Sequence, residues 1–320
     1  MTNCIGIDVG KQELVAFDGL NHRSFPNSRD LSELRHYLAS TGSQIRIIFE
    51  PTSTYSRKLE ELCGQEGITY KLLPPKVVPH LRHVEMARSK TDRTDSELLY
   101  LYGTRGYDME SDIPKESLSR EISAILSVYG LLQRNRIALQ GALDAMEQEP
   151  LMDISLCDLF SGEIERLKHL EKEILEKARI KVMESGAGKQ LESLLSIPGI
   201  GTVNALFLLA FFRIYPDANR KQITALAGLD PVFRESGTSV HGKPHISKQG
   251  NSRLRKTLFQ ATLSAARFNP VLSQMYRRLR ESGKPDKSAR VAVARKLLLI
   301  AFAIFKSGKP FRSDNDNSNS

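Results

Sequence analysis

Two short apolar stretches near the start of the chain each end directly at a carboxylic acid. Residues 4–8 read Cys-Ile-Gly-Ile-Asp, and residues 45–50 read Ile-Arg-Ile-Ile-Phe-Glu. Short apolar runs of this kind are typical of strands that are largely buried in a sheet. Because acids at the ends of neighbouring strands project from one edge of a sheet, the pattern predicts that Asp8 and Glu50 lie close together.

The rest of the first hundred residues alternates strand and helix signals. Strands are expected over residues 13–18, 22–25 and 69–73, and helices over residues 31–38 and 55–63. A meander of strands followed by a strand–helix–strand unit predicts a mixed α/β sheet. We assign this domain to residues 1–112.

Apolar residues three and four positions apart begin near residue 118. This seam comprises Ile122, Ile125, Tyr129, Leu132, Leu139, Leu143 and Met146, with Arg136 as its one charged member. The spacing predicts a long amphipathic or coiled-coil helix, and a second, highly charged helix follows it. Within this segment, residues 113–186, the two helices could form an antiparallel hairpin, serve as a dimerisation arm or pack only within their own chain.

The remaining residues are richer in Gly, Arg and Lys. Residues 197–201 (Ile-Pro-Gly-Ile-Gly) precede an apolar helix, as in a helix-hairpin-helix, where glycine allows close approach and helix N–H groups receive a phosphate. The alternative is an ordinary tight turn. Arg277, Arg278 and Arg280 form a further basic cluster. Nucleic-acid contacts are expected at Gly199, Gly201, Lys248, Arg253, Arg255 and Lys256. This domain covers residues 187–312, and the polar tail 313–320 is expected to be disordered.

Composition narrows the class of protein. The 320 residues carry a formal net charge of +9, which favours a polyanionic partner. The three cysteines are far apart and form no CxxC pair, so we expect three buried thiols and neither a zinc site nor a disulfide. No apolar run is long enough to span a bilayer and no signal peptide is evident, so a cytoplasmic protein without membrane partners is expected.

Asp92 and Asp95 complete a set of four acids. They are three residues apart just before an apolar helix and so share one helix face. Four converging carboxylates repel one another unless cations lie between them, and such oxygen ligands select Mg²⁺ or Mn²⁺. Two such ions assist phosphodiester cleavage. Alternatively, Asp92 is a helix N-cap and Asp8 a turn residue, whereas Glu50 has no obvious structural role.

Several motifs match a known family in order. Residues 5–11 (Ile-Gly-Ile-Asp-Val-Gly-Lys), 50–55 (Glu-Pro-Thr-Ser-Thr-Tyr) and 90–95 (Lys-Thr-Asp-Arg-Thr-Asp) resemble the three acidic motifs of the insertion-sequence-110 family of DEDD transposases, which includes Piv-type DNA invertases. Residues 196–201, 227–231, 235–237 and 246–251 look like motifs of the family's C-terminal transposase domain. The likeness covers nearly the whole chain.

The resemblance implies a RuvC-like ribonuclease H fold for the N-terminal domain and a mainly helical C-terminal domain. It implies that Asp8, Glu50, Asp92 and Asp95 bind divalent metal and that Ser236 forms a covalent phosphoserine link to DNA. It further implies a transposase that acts on double-stranded DNA at element ends and target, guided by a structured non-coding RNA. Family members form dimers that pair into tetramers, in the bacterial or archaeal cytoplasm.

Other interpretations stay open on the residues alone. Ser236, beside a glycine, is ordinarily a turn residue, Ser239 and Ser247 are weaker substitutes, and Tyr55 is a rival nucleophile that we interpret as structural. His241 and His245 could serve in acid–base chemistry or be loop residues. The competing functions are a DNA invertase, a junction-resolving nuclease that uses water, and a non-catalytic nucleic-acid-binding protein.

Overall fold

The chain folds into two compact units, Met1–Pro114 and Lys115–Ser320, in a computed structural model. The structure describes residues 3–42, 44–52, 54–75, 77–85, 89–105, 117–232, 235–236, 240–241 and 245–312. The predicted tail, residues 313–320, lies outside them. The four-part division predicted from the sequence stays a prediction.

The first unit is built on a five-stranded sheet in the order β3-β2-β1-β4-β5. Its strands are β1 (Asn3–Val9), β2 (Glu13–Phe17), β3 (His22–Pro26), β4 (Ile45–Phe49) and β5 (Thr69–Leu72). The first three strands form an antiparallel meander, and β4 and β5 run parallel to β1. The predicted mixed α/β sheet is therefore confirmed, with strand ends within one residue of those expected.

Helices cover both faces of this sheet. They are α1 (Ser32–Ser40), α2 (Arg57–Glu66), α3 (Val77–Val84) and α4 (Asp92–Thr104). Ile47 and Phe49 pack into one core with α1 and α2, whereas Ile48 between them packs into the other core with α3 and α4. This alternation is the two-residue period of a strand that is buried on both sides.

A glycine in the central strand sets how closely α4 approaches the sheet. A Cβ atom at Gly6 would lie 2.1 Å from the carbonyl oxygen of Ser96 and 2.4 Å from the backbone nitrogen of Tyr100, both on α4. No larger residue fits at such distances. The sequence Ile-Gly-Ile-Asp therefore determines where the first turns of α4 lie.

The second unit is mainly helical. Its helices are α5 (Ser117–Met146), α6 (Ile154–Glu184), α7 (Gly188–Leu195), α8 (Thr202–Ile214), α9 (Arg220–Leu226), α10 (Ser252–Phe268), α11 (Pro270–Glu281) and α12 (Asp286–Ser307). Two short antiparallel strand pairs join β6 (Pro231–Val232) to β9 (His245–Ile246) and β7 (Glu235–Ser236) to β8 (Val240–His241). The apolar helix α8 lies in the core of this unit, with Leu206, Leu208, Leu209 and Phe212 fully buried.

Helices α5 and α6 pack along each other as a hairpin. The one charged member of the predicted seam, Arg136, places its Nε atom 2.7 Å from Oε1 of Glu171 on α6, and that carboxylate is buried. The seam tolerates this cation because its partner comes from the facing helix. A hairpin within one chain is therefore present, while a role in dimerisation stays a prediction.

The cysteines differ slightly from expectation. Cys4 and Cys63 are buried, but Cys157 lies near the start of α6 and is only partly buried, so the expectation of three buried thiols was wrong for one of them. All three are free thiols. Among the helices that the structure describes, none combines the length and apolar character needed to cross a membrane.

Candidate acidic site and nucleic-acid groove

Asp8 and Glu50 leave the sheet side by side. Strands β1 and β4 are parallel neighbours in which Ile7 is paired with Phe49, so the next residue of each chain segment is the carboxylic acid. Asp8 belongs to the strand itself and pairs with Val15 of β2. The alternative that Asp8 is a turn residue was therefore wrong.

Helix α4 supplies the other two acids. Its N-cap is Thr91, whose hydroxyl oxygen accepts the backbone N–H of Thr94 at 3.2 Å, and the Thr94 hydroxyl accepts the Thr91 N–H at 3.0 Å. This reciprocal capping box leaves Asp92 as the first residue of the helix. The alternative that Asp92 is the N-cap was therefore wrong, and neither Asp92 nor Asp95 is required for capping.

The four carboxylates affect one another electrostatically. Burial and the negative charges of Asp92, Asp95 and Glu50 together raise the pKa of Asp8 from 3.8 to about 6, against one hydrogen bond from the Val9 N–H, which lowers it. Negative charges raise the pKa of a carboxyl group in this way only when they lie near it. The sheet register and the approach of α4 thus bring together the four predicted acids.

One carboxylate oxygen of Glu50 has no hydrogen-bond partner among the described residues. Burial raises the pKa of its carboxyl group, the charge of Asp95 adds to this effect, and the N–H of Val78 opposes it. Oε1 of Glu50 is buried and accepts no hydrogen bond from the described residues. A buried carboxylate oxygen without a donor is costly, and a bound cation is one way to satisfy it.

Sequence reasoning missed the cation nearest to these acids. Arg82, on α3, pairs its Nη2 atom with Oδ1 of Asp95, and the two side chains are only 19% and 14% exposed. The positive charges of Arg82 and Lys90 oppose the rise in the pKa of Glu50 without cancelling it. Over the described ranges, no three Asp, Glu, His or Cys side chains are arranged to hold a metal ion in this conformation. The positive charge beside Asp95 is thus a guanidinium group.

A separate groove in the second unit gathers several residues predicted to contact nucleic acid. Its volume is about 570 Å³. Gly199, Gly201, Arg253 and Lys256 line it together with side chains of α5 and α8 that the sequence analysis did not select, namely Tyr129, Gln133, Arg134 and Asn204. Arg253 donates to the Ser127 hydroxyl at 2.6 Å. Arg134 and Lys256 have no ion-pair partner in the described part of the chain.

The two glycines of this groove have different roles. Gly199 has φ of +98°, and a Cβ atom there would lie 2.5 Å from Cα of Ala265, so it seats the turn between α7 and α8 against α10. Gly201 is the N-cap of α8 and has open space around it, and no side chain caps the helix. The first N–H groups of α8 are therefore available to an anion at the groove.

Two of the predicted contacts lie elsewhere. Lys248 lines another groove, of about 880 Å³, together with Lys284, Lys287, Arg295 and Lys296. Arg255 donates to the carbonyl oxygen of Ala227 at 3.1 Å and so fixes a turn of its own unit. Helix α10 separates Arg255 from Arg253 and Lys256 because consecutive residues turn by about 100° around the helix axis.

The candidate nucleophiles are placed as follows. The backbone of Ser236 pairs with Val240 in a short strand pair, but its side chain lies outside what the structure describes, as does that of His241. Ser239 lies wholly outside the described residues. The Ser247 hydroxyl donates to a carboxylate oxygen of Asp230. Tyr55 is partly buried against the core of the sheet, in keeping with a structural interpretation.

Comparison with known families covers both regions. Residues 5–146 match the family model of the DEDD transposases of IS110 elements, whose description is "Transposase". Residues 191–277 match a second family model, whose description is "Transposase IS116/IS110/IS902 family". The chain belongs to the IS110 family of DEDD transposases. It is therefore a DNA recombination enzyme, and the non-catalytic alternative is set aside. The first match contains all four acids, and the second contains Ser236 and most of the basic groove.

Relatives of this transposase include proteins of similar length. It is 26% identical to the pilin gene-inverting protein of Moraxella bovis, over 96% of this chain and 97% of that protein, and equally similar to that of Moraxella lacunata. It is 31% identical to an uncharacterized 43.6 kDa protein of insertion element IS110 from Streptomyces coelicolor, over 38% of this chain and 30% of that one. Full-length likeness is thus to proteins named for inverting a gene.

Proposed function

We propose that this transposase cuts and rejoins DNA at the acidic site, with Asp8, Glu50, Asp92 and Asp95 holding Mg²⁺ or Mn²⁺. The observation that carries the proposal is the placement of the acids: the register of β1 and β4 sets Asp8 beside Glu50, and the close approach of α4 at Gly6 brings the charges of Asp92 and Asp95 toward Asp8. Partly buried like charges are tolerated where a function needs them, and four oxygen donors suit a hard divalent cation.

The donor set fits a metal ion, although one contact must change. The unpartnered Oε1 of Glu50 provides a free ligand atom, whereas Asp95 is engaged by Arg82. When bound, divalent ions would activate the attacking oxygen and stabilise the leaving oxygen. In the metal-free site, Arg82 offsets part of the negative charge by pairing with Asp95. This ion pair would have to break for Asp95 to bind a metal ion.

Ser236 is the proposed nucleophile. Its hydroxyl oxygen attacks a backbone phosphorus atom, so that the Ser236 Oγ–P bond forms and the P–O bond to the departing strand breaks. The serine loses its proton, and the departing oxygen takes one up. Supporting this role are the family match over residues 191–277 and the competing hydrogen bond that engages the Ser247 hydroxyl.

The groove lined by Gly199, Gly201, Arg253 and Lys256 is the proposed seat of a phosphate of double-stranded DNA. The open N-terminus of α8 gives it the required charge, together with Arg134 and Lys256, which have no ion-pair partner among the described residues. A structured guide RNA, and dimers that pair into tetramers, complete the proposal on the basis of family membership.

A second candidate function is inversion of a DNA segment. It is favoured by the likeness of the whole chain to the pilin gene-inverting proteins. Transposition and inversion can share one cleavage chemistry and differ in how the DNA sites are arranged. A junction-resolving nuclease would instead use water and would not need Ser236.

The test is recombination in cells. The gene and its native flanking DNA are placed in a plasmid, and PCR detects the junction joining the two element ends; a second plasmid carries the ends in inverted orientation. We expect junctions from the wild type and from Ser239→Ala, but none from Asp92→Asn or Ser236→Ala. Junctions from Ser236→Ala would refute the serine mechanism, and junctions from Asp92→Asn would refute the metal site. Products from the inverted plasmid alone would identify an invertase.

A further inference from the structure

An exposed aromatic ring ends helix α10. The Phe268 side chain is 69% exposed, although the adjoining corner is tightly fixed. The next residue, Asn269, is fully buried; its N–H donates to Ala265, its amide donates to the carbonyl oxygen of Pro198 at 3.4 Å, and its Oδ1 accepts the Leu272 N–H at 3.2 Å. The corner therefore holds the ring in solvent rather than letting it fold into the core.

Three arginines lie in the same groove as this ring. Arg267, Arg277 and Arg278 line the same groove, of about 610 Å³, and none has an ion-pair partner among the described residues. Glu281 is an acid that also lines the groove. Ser273 and Gln274 provide hydrogen-bonding groups beside the ring.

The composition of the groove indicates its ligand. A protein-docking patch would group several apolar side chains, but here Pro270 is the apolar residue that accompanies the ring, and the exposed Leu263 of the same helix lies outside the groove. One ring face among guanidinium groups matches a nucleotide, whose base stacks and whose phosphate pairs with arginine. In a duplex the base faces are already stacked on one another, so the ligand is unpaired.

We propose that Phe268, Arg267, Arg277 and Arg278 form a binding site for an unpaired nucleotide of a DNA strand undergoing exchange. This inference depends on the proposed function in one respect: the unpaired strand is taken to come from DNA that the enzyme has cut. A strand that has been cut and is being transferred is transiently single-stranded. The stacking and charge pairing themselves require neither metal nor Ser236.

Binding without cleavage tests the site. Full-length protein in EDTA is titrated into a single-stranded DNA oligonucleotide carrying 2-aminopurine, and in parallel into the duplex and into RNA of the same sequence. We expect Phe268→Leu to weaken single-strand binding about tenfold while duplex binding is unchanged, and Phe268→Tyr to bind as the wild type does. Arg277→Gln should weaken binding and lower its salt dependence. Leu263→Ala is the matched control and should bind normally.

Three results would overturn the inference. Wild-type affinity of Phe268→Leu for the single strand would remove the stacking role. Equal losses on single strand and duplex, with an altered oligomeric state on size exclusion, would identify a protein interface. A loss confined to RNA would assign the site to RNA instead. Because metal and Ser236 take no part in the assay, its failure leaves the catalytic proposal untouched.

Discussion

Replacing Asp8 with Asn is expected to stabilise the metal-free protein. Burial and three neighbouring carboxylates raise the pKa of Asp8 from 3.8 to about 6. Above pH 6 the native state must therefore hold a carboxylate in an unfavourable place, a cost that the unfolded chain does not bear. Asn has nearly the same shape and no charge, so the substitution removes the repulsion with little change in packing.

The size of the effect follows from the shift. Each pKa unit corresponds to about 1.4 kcal/mol, which gives an upper limit of about 3 kcal/mol for this group. Because Asp8 is only partly buried, solvent screening lowers the expected gain to about 1–2 kcal/mol. The gain should shrink toward zero as the pH falls below 3.8, where Asp8 becomes protonated in both states, and should approach its full size as the pH rises above 6.

The measurement is urea unfolding in EDTA at several pH values between 4 and 8. Asp18→Asn in the same unit serves as the control with the opposite sign. Burial raises the pKa of Asp18, but hydrogen bonds from the Asn21 and Leu20 N–H groups and the Tyr37 hydroxyl outweigh this and lower it. Loss of the Asp18 charge should therefore destabilise the protein near neutral pH, and this loss should diminish in acid.

Two results would contradict this reasoning. If Asp8→Asn loses stability at pH 8 without metal, the carboxylates do not repel one another as the structure indicates. If a few millimolar Mn²⁺ stabilises Asp8→Asn as much as the wild type, Asp8 is not a ligand, because an ion that binds only the native state stabilises through that binding.

Further substitutions test other contacts. Arg82→Gln leaves Asp95 without its cation, so the free energy of unfolding without metal should fall by about 1–3 kcal/mol. Calorimetry should show tighter Mn²⁺ binding to this variant. Weaker binding would mean that Arg82 helps the site to bind the ion. Gly6→Ala forces α4 off the sheet, so the free energy of unfolding measured in urea should fall by about 1–3 kcal/mol. Gly141→Ala, with open space around it, should be neutral or slightly stabilising. Equal effects of the two substitutions would contradict the close approach of α4 to Gly6. Arg136→Met leaves a buried glutamate unpaired and should cost about 3 kcal/mol, as thermal unfolding would show; an unchanged midpoint would mean that the seam ion pair contributes nothing.

The sheet and two of its acids could be predicted because the relevant information is local. Apolar runs that end in Asp8 and Glu50 define β1 and β4, and a parallel register places their ends side by side. The same holds for the long helix α5, whose apolar period continues for seven turns. In each case one short stretch of sequence determines both the element and the side of it that is buried.

The missed features depend on contacts between elements. Arg82 lies on α3, a short helix that begins Val-Val-Pro-His, and nothing in that stretch indicates that it meets an aspartate thirteen residues later. The alternative that Asp92 caps α4 was wrong because Thr91 and Thr94 cap the helix reciprocally, although the third helical position holds Thr rather than the Glu or Gln usual in a capping box. The separation of Arg255 from Arg253 and Lys256 could have been foreseen from helical periodicity alone.

Two features of the acidic site are unfavourable when taken singly, a glycine in the central strand and a group of like charges, and the first makes the second possible. Glycine weakens a buried strand, yet Gly6 stands in the central strand of the sheet, where it admits α4. The helix so admitted carries Asp92 and Asp95 toward Asp8, which raises the pKa of Asp8 and costs stability. A helix needed only for packing would be better served by a larger residue at position 6. Since Thr91 already caps the helix, neither acid is needed as a cap. Although Asp95 also pairs with Arg82, the combination of the two acids with Gly6 is best explained by the negative charge that they bring toward Asp8.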